Sequence, residues 1–262
     1  MFGNKKPNLK TMIHLFDHTV RPVLLYGSEI WRTFIGKKLR EGKDNFISKL
    51  FSNLKQEHVH LKFGKYILGV RKRSTSLAIL GELGRYPLYI EIIISMFKYL
   101  KCLYTHEDIL LRNAFSESKY LYENGKNNWF SSMESLMRYL NISPNIFKLP
   151  GIDIKSLLLN KLKTLCNKIW NEELFNDRRN NIGGNKLRTY RLFEPNFSFE
   201  PYLLYLSEEK RKPLSTFKIS HHTLEIEERR YHILPIDNRI CGLCKTFPAS
   251  VCYTEQDEKQ FH

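Results

Sequence analysis

The sequence predicts a mainly α-helical protein built around a helical bundle. Along most of the 262 residues, apolar side chains recur at steps of three and four, and alternating runs typical of strands are scarce. Residues 88–104 are apolar almost all round, which is typical of a helix in the middle of a bundle. Their strongly polar positions fall on one narrow stripe: Glu91, Ser95, Lys98 and Lys101. Hydrophobic residues make up 42% of the chain, so wholesale disorder is excluded.

Two helices are predicted ahead of that central one. The first is interrupted at Pro22, because proline lacks a backbone donor. Its apolar residues are Leu15, Phe16, Val20, Val23, Leu24 and Tyr26. The second is long and ends at Gly69, a residue suited to a helix C-terminus. Its apolar stripe is Ile47, Leu50, Phe51, Leu54, His58, Leu61 and Leu68, and its polar side carries Lys49, Lys55, Lys62 and Lys65. A basic turn, residues 71–76, follows.

Four further helices are predicted after residue 130. Ser131 is the predicted N-cap of a helix that runs to about Leu140. Another helix spans about 154–175, and a linker rich in Asn and Gly follows at 180–185. Two short helices are expected near 201–210 and 214–225, with Pro213 at the start of the second. Cys102 and Cys166 lie on apolar faces and are interpreted as core residues.

The positive charge is concentrated near the N-terminus. The chain has 42 Lys and Arg against 27 Asp and Glu, a net charge of +15. Residues 1–73 hold 16 against 5, a net +11, and the remaining residues hold 26 against 22, a net +4. Such a concentration favours a polyanion, most simply nucleic acid, as the partner. A solvated face kept for solubility is an equally open alternative.

Membrane insertion and secretion are not expected. The longest apolar stretch, residues 88–97, is shorter than the roughly 20 residues that a spanning helix needs. The first residues contain no apolar region typical of a signal peptide. Five cysteines are too few for a disulfide scaffold, which favours an intracellular protein of the nucleus or cytoplasm.

A possible metal site lies near the C-terminus. Cys241 and Cys244 form a CxxC pair, which is a frequent half of a tetrahedral zinc site. Cys252 and His262 follow and are the candidates for the remaining ligands. Two unrelated thiols are the alternative interpretation, and the identity of the fourth ligand stays open. A thioredoxin-like redox role is disfavoured because no strand–helix pattern surrounds the pair.

The sequence does not favour catalysis. Polymerases and many nucleases hold two metal ions with clustered carboxylates, and this chain has no Asp-Asp pair. Its adjacent glutamates lie in charged segments typical of a solvated helix surface. We therefore expect no enzyme activity from the chain on its own and see no signal for a small-molecule substrate.

Several segments resemble the C-terminal part of reverse transcriptases of non-LTR (LINE-type) retrotransposons. Residues 15–31 end in Leu24-Leu25-Tyr26-Gly27-Ser28-Glu29-Ile30-Trp31, which is similar to the family's segment just after the polymerase palm. Residues 63–70, 81–88, 186–190 and 219–231 resemble successive later blocks. Residues 239–244 resemble the start of the family's terminal zinc-binding module. Two departures stand out: Arg229 replaces the usual Gly, and His262 lies further along than the family's histidine.

The resemblance implies a fragment without the palm and the endonuclease. It implies a basic thumb-like helical segment over 1–73, a helical connector over 74–180, short helices over 181–235 and a truncated zinc-knuckle-like module over 236–262. In such a fragment the zinc site at Cys241, Cys244, Cys252 and His262 would be incomplete. A thumb holds a primer–template duplex by its backbone, so it needs positive charge rather than catalytic acids.

Two functions from different classes follow. The first is non-catalytic binding of RNA, or of an RNA–DNA or DNA duplex, with phosphate contacts from Lys62, Lys65, Arg71, Lys72 and Arg73. Tyr26 and Trp31 could stack on bases, although burial in the core is the favoured interpretation of both. The second is a zinc-stabilised helical module that binds proteins and has no nucleic-acid role. Salt separates the two, because binding to a phosphate backbone weakens steeply as salt rises.

Overall fold

The structure is a computed structural model, and it describes residues 8–31, 54–149, 151–175, 187–193 and 195–219. This part of the chain is mainly helical, as predicted, and its one β-type pairing is an isolated bridge between Leu83 and Phe199. Predictions for the first part of the second helix (residues 47–53), the linker 180–185, the helix end beyond residue 219 and the cysteine-rich segment 236–262 lie outside the described residues. Helices are numbered below within the described ranges.

The N-terminal helix is present and has an irregular centre. The elements are α1 (Leu9–Leu15), a π-helical turn (Phe16–Val20), α2 (Arg21–Leu25) and α3 (Ser28–Trp31). The predicted interruption at Pro22 takes the form of the π turn just before it. Only Phe16 of the predicted apolar residues is buried, and Val23 is 75% exposed. The π turn changes the helical register, so residues spaced at three and four across it do not share one face.

The prediction that Tyr26 packs in the core is wrong. Its side chain is 85% exposed, because α2 ends at Leu25 and Gly27 turns the backbone with φ of 64°. The side chain of Trp31 lies outside the described residues, so the same prediction for Trp31 is untested.

The next helix, α4, spans Lys55–Leu68 and ends at Gly69 as predicted. Gly69 has φ of 70°, and Val70 N–H donates to the Lys65 carbonyl at 3.1 Å. Leu54, Leu61 and Leu68 are buried as expected, but His58 is exposed, so its place on the apolar stripe is wrong. The buried stripe instead includes Glu57 and His60. Both find polar partners: Glu57 Oε2 accepts from Leu88 N–H at 2.7 Å, and His60 Nε2 accepts from Arg85 Nε at 2.9 Å.

The chain divides into two compact units. The first unit consists of the described parts of Met1–His58 and Tyr86–Ile169, and the second of Val59–Arg85 and Trp170–His262. The centre of the first unit is α6 (Tyr89–Thr105), which packs against α3, the following helix and a 3-10 turn at Pro144–Lys148. The predicted central bundle helix is therefore confirmed. Its buried residues are Tyr89, Ile90, Ile92, Ile93, Ile94, Met96, Phe97, Leu100 and Leu103.

In the described part of the first unit, three helices follow α6. The helix α7 (Ile109–Glu123) was not predicted, and none of its residues is buried. The helix α8 (Trp129–Tyr139) begins two residues before the predicted cap. Asn128 is the N-cap, and Ser131 is the third helical residue of a reciprocal capping box. The helix α9 (Ile154–Leu174) matches its prediction and buries Cys166, whereas Cys102 is exposed and is not a core residue.

Among its described residues, the second unit has four short helices besides its share of α4 and α9. They are α5 (Ser76–Glu82), α10 (Arg188–Leu192), α11 (Tyr202–Tyr205) and α12 (Glu208–Lys218). Trp170 lies in its core, with Nε1 donating to the Leu77 carbonyl at 3.0 Å and its ring edge-on to Phe197. Pro213 lies inside α12 instead of starting a helix, so that prediction is wrong.

Candidate nucleic-acid interface

The five predicted phosphate-binding residues all lie in the second unit. Lys62 and Lys65 are on α4, and Arg71, Lys72 and Arg73 form the turn that joins α4 to α5. All are exposed except Lys65, which is partly buried. We define the basic face as the four exposed residues Lys62, Arg71, Lys72 and Arg73.

Lys65 differs from the other four because its side chain holds the turn. Its Nζ donates to the Lys72 carbonyl at 2.7 Å, and burial lowers the pKa of its ammonium. Ser74 N–H donates to the Arg71 carbonyl at 3.1 Å and closes the same turn. The sequence assigned Lys65 to phosphate contact, whereas its geometry is that of a residue that positions Arg71, Lys72 and Arg73.

A lysine from a distant part of the chain packs beside this turn. A Cβ placed on Gly69 would lie 2.4 Å from Cγ of Lys212 on α12, so the lysine stem lies against the glycine. The Lys212 ammonium forms an ion pair with Glu208 one helical turn earlier. Sequence reasoning missed Lys212, because only the fold brings α12 against the end of α4. Its neighbour Arg211 is buried and donates to the Leu203 carbonyl, which keeps it away from this surface.

An aromatic side chain also projects beside the basic face. Tyr66 is 67% exposed and follows Lys62 by one helical turn on α4. Residues four apart on a helix are neighbours on its surface. The sequence analysis did not identify Tyr66 as a candidate binding residue. Its position four residues after Lys62 on a predicted helix was a signal that could have identified it.

A buried ionic cluster joins α12 to α5, the helix that follows the basic turn. Lys218 Nζ, at the end of α12, lies 3.0 Å from Glu82 Oε1 at the end of α5 and 3.2 Å from Glu200 Oε2. Glu82 and Lys218 are almost completely buried. The lysine also faces the rings of Phe193 and Tyr202 at 5.7 and 5.1 Å. Two carboxylates therefore share one ammonium inside the unit.

The pKa values of Glu82 and Tyr202 are both shifted. Burial raises the pKa of Glu82, against the lowering effect of a hydrogen bond from Tyr202 and of the Lys218 charge. Burial also raises the pKa of Tyr202, whose hydroxyl lies 2.8 Å from Ser215 Oγ. The arrangement fixes α5 and α12 to each other. The first of these helices follows the basic turn, and the second carries Lys212, which packs against Gly69.

The candidate zinc ligands Cys241, Cys244, Cys252 and His262 lie outside the described residues. Within the ranges that the structure describes, no group of three or more His, Cys, Asp or Glu side chains is arranged to hold a metal ion. The zinc site therefore stays a prediction from the sequence.

Comparisons with known proteins give no identification. No family model matches the chain, and neither the curated proteins nor the solved structures give a significant match. Separately, none of the helices between residues 8 and 219 that the structure describes combines the length and apolar character needed to cross a membrane.

Proposed function

We propose that this chain is a non-catalytic nucleic-acid-binding segment related to the C-terminal part of non-LTR retrotransposon reverse transcriptases. The basic face would contact the phosphate backbone of RNA or of a duplex. The observation that carries the proposal is the turn after α4, where three consecutive cationic residues, Arg71, Lys72 and Arg73, are exposed on a backbone fixed by Lys65.

The charges of the basic face are not neutralised within the described part of the chain. The ion pairs found among the described residues involve other cations, among them Arg21, Lys119, Arg138, Lys212 and Lys218. Guanidinium groups bind phosphate through paired donors, and lysine binds it as a point charge. Four cations on one turn and the adjoining helix therefore favour a polyanion over an isolated anion.

Tyr66 supports a role for unpaired bases beside the phosphate contacts. Stacking of a base on an exposed aromatic ring contributes about 1–3 kcal/mol and tolerates any sequence. A single strand, or the junction of a duplex with a single strand, would therefore gain a contact that a continuous duplex does not. On this basis Tyr66→Ala should weaken single-strand binding, and Tyr66→Phe should preserve it.

The test replaces the four residues of the basic face by Gln and leaves Lys65 in place, because Lys65 holds the turn. Each phosphate contact contributes about 0.9 to the slope of log affinity against log salt on B-form duplex, so four lost contacts predict a fall of about 3.6. The control removes the same charge from exposed residues of the first unit: Lys10, Arg112, Lys126 and Lys155.

Three outcomes of this test are distinguishable. A loss of slope confined to the basic-face variant would support the proposal. Equal changes in both variants would show that binding follows net charge and uses no defined face. A parent chain whose partner binding does not depend on salt would favour the protein-interaction module instead.

The proposal includes the lack of catalysis and an incomplete zinc module. With no Asp-Asp pair in the sequence, primer extension on an RNA template with Mg²⁺ should not exceed that of a mock preparation. Zn²⁺ bound by Cys241 and Cys244, with Cys252 and His262 completing the set, should be removable by a chelator. Stoichiometric zinc that survives prolonged chelation would show a complete site.

A further inference from the structure

Two histidines lie against each other on the surface of the first unit. The rings of His14, in the last turn of α1, and His18, in the π turn, have centroids 4.0 Å apart and planes tilted by 48°. Both side chains are exposed. They are therefore adjacent imidazoles that solvent ions can reach.

The π turn explains why the rings approach so closely. Arg21 N–H donates to the Phe16 carbonyl, five residues earlier, and so the turn is wider than an α-helical one. A wider turn reduces the angular offset between residues four apart, which brings His14 and His18 nearly above one another. Pro22 follows directly and cannot donate to the carbonyl four residues earlier. Local π turns of this kind are frequent at functional sites.

The spacing of the two rings suits a shared metal ion. Histidines four apart on one helix face are a known pair of zinc ligands. Two nitrogens that each bind a tetrahedral ion at 2.0–2.1 Å stand about 3.3 Å apart. Rings that each point one nitrogen at such an ion have centroids about 5 Å apart, so rotation of the two exposed side chains must widen the 4.0 Å spacing by about 1 Å.

We propose that His14 and His18 form a two-imidazole surface chelate for a borderline divalent cation such as Cu²⁺ or Zn²⁺, with water in the remaining positions. No third protein ligand adjoins them in the described residues. The nearest acidic residue in sequence, Asp17, has its carboxylate 3.6 Å from the Arg21 guanidinium. Binding is therefore exchangeable, and the bound ion links α1 to the π turn.

The experiment uses the full chain with Cys241→Ser, Cys244→Ser and Cys252→Ser, so that the predicted thiolate ligands of zinc do not compete. Cu²⁺ is the probe, because it binds nitrogen ligands most tightly among these ions and its electron paramagnetic resonance spectrum reports the coordinating nitrogens. The test variant carries His14→Gln and His18→Gln. The control carries His58→Gln and His106→Gln, which removes two exposed imidazoles elsewhere. Circular dichroism verifies that each variant is folded.

We expect the test variant to lose about one equivalent of bound Cu²⁺ and the spectrum of a two-nitrogen site, while the control keeps both. Zn²⁺ added in excess should displace the same equivalent from the parent. Equal losses in the test and control variants, or a parent that binds no ion at this site, would overturn the proposal.

Discussion

Replacing Lys218 by Met should destabilise the second unit strongly near pH 7. The ammonium lies 3.0 Å from one carboxylate and 3.2 Å from the other. At an effective dielectric constant of about 20, each attraction is about 5 kcal/mol before desolvation is counted. Removing the lysine also removes the cost of burying its charge, so the net loss should be about 3–5 kcal/mol. Methionine preserves most of the packing of the lysine stem.

The loss should depend on pH in a direction set by Glu82. Its pKa is already raised from the usual value of 4.5, mainly by burial, and the loss of Lys218 removes one of the effects that lower it. A carboxyl group with a raised folded-state pKa contributes stability that is full below its unfolded pKa and is lost as pH rises through the folded pKa. The deficit of Lys218→Met should therefore be greatest at neutral pH and shrink toward pH 4.5.

Urea unfolding at several pH values, followed by circular dichroism and tryptophan fluorescence, measures this deficit. Adding Glu82→Gln to Lys218→Met should recover more than half of the loss, because the remaining carboxylate, Glu200, is partly exposed to water. A deficit below about 1 kcal/mol, which is typical of exposed pairs, would refute the reasoning. A deficit that does not change with pH would refute the role given to Glu82.

Two further predictions concern backbone geometry and thiol chemistry. Gly84→Ala should cost clearly more than Gly125→Ala in the same unfolding measurement. Both glycines have positive φ, which costs about 1–2 kcal/mol for alanine, but only at Gly84 would the new Cβ lie 2.4 Å from a backbone atom, Phe199 N. In maleimide labelling read by peptide mass spectrometry, Cys102 should react in the native state and Cys166 only after unfolding. Cys166 is buried, and burial raises the pKa of its thiol to about 12.

The sequence was sufficient to predict those elements of the fold that a local residue pattern determines by itself. The narrow polar stripe that includes Glu91 and Lys101 located the central helix α6, because a helix surrounded by other helices can leave only such a stripe toward solvent. Gly69 ended α4 because a positive φ at a helix C-terminus favours glycine over every residue with a Cβ. Both conclusions depend on neighbouring residues only.

Pro213 shows why the sequence failed elsewhere. Proline at the sixth position of α12 removes one backbone hydrogen bond, which made a helix start there the better local interpretation. The helix continues through it because three buried polar residues of one face have partners elsewhere in the unit. Arg211 donates to the Leu203 carbonyl, Ser215 meets the Tyr202 hydroxyl, and Lys218 joins the two carboxylates. None of these partners is recognisable from local spacing.

Some features of the candidate interface could likewise be predicted from the sequence, and others could not. Composition and the run Arg71-Lys72-Arg73 identified the basic turn, and the structure has these residues exposed. The hydrogen bond from Lys65 to the Lys72 carbonyl requires the turn to be folded, and the packing of Lys212 on Gly69 requires two distant helices to meet. Charge and residue spacing in the sequence could therefore predict neither the hydrogen bond of Lys65 nor the position of Lys212.

The most direct test of the proposed interface is lysine footprinting with an amine-reactive reagent, in the presence and absence of a saturating oligonucleotide. Peptide mass spectrometry would follow Lys62 and Lys72 of the basic face, with Lys126 and Lys155 of the first unit as exposed references. We predict that the oligonucleotide protects Lys62 and Lys72 and leaves the two reference lysines unchanged. Equal reactivity of Lys62 and Lys72 with and without bound oligonucleotide would contradict the account.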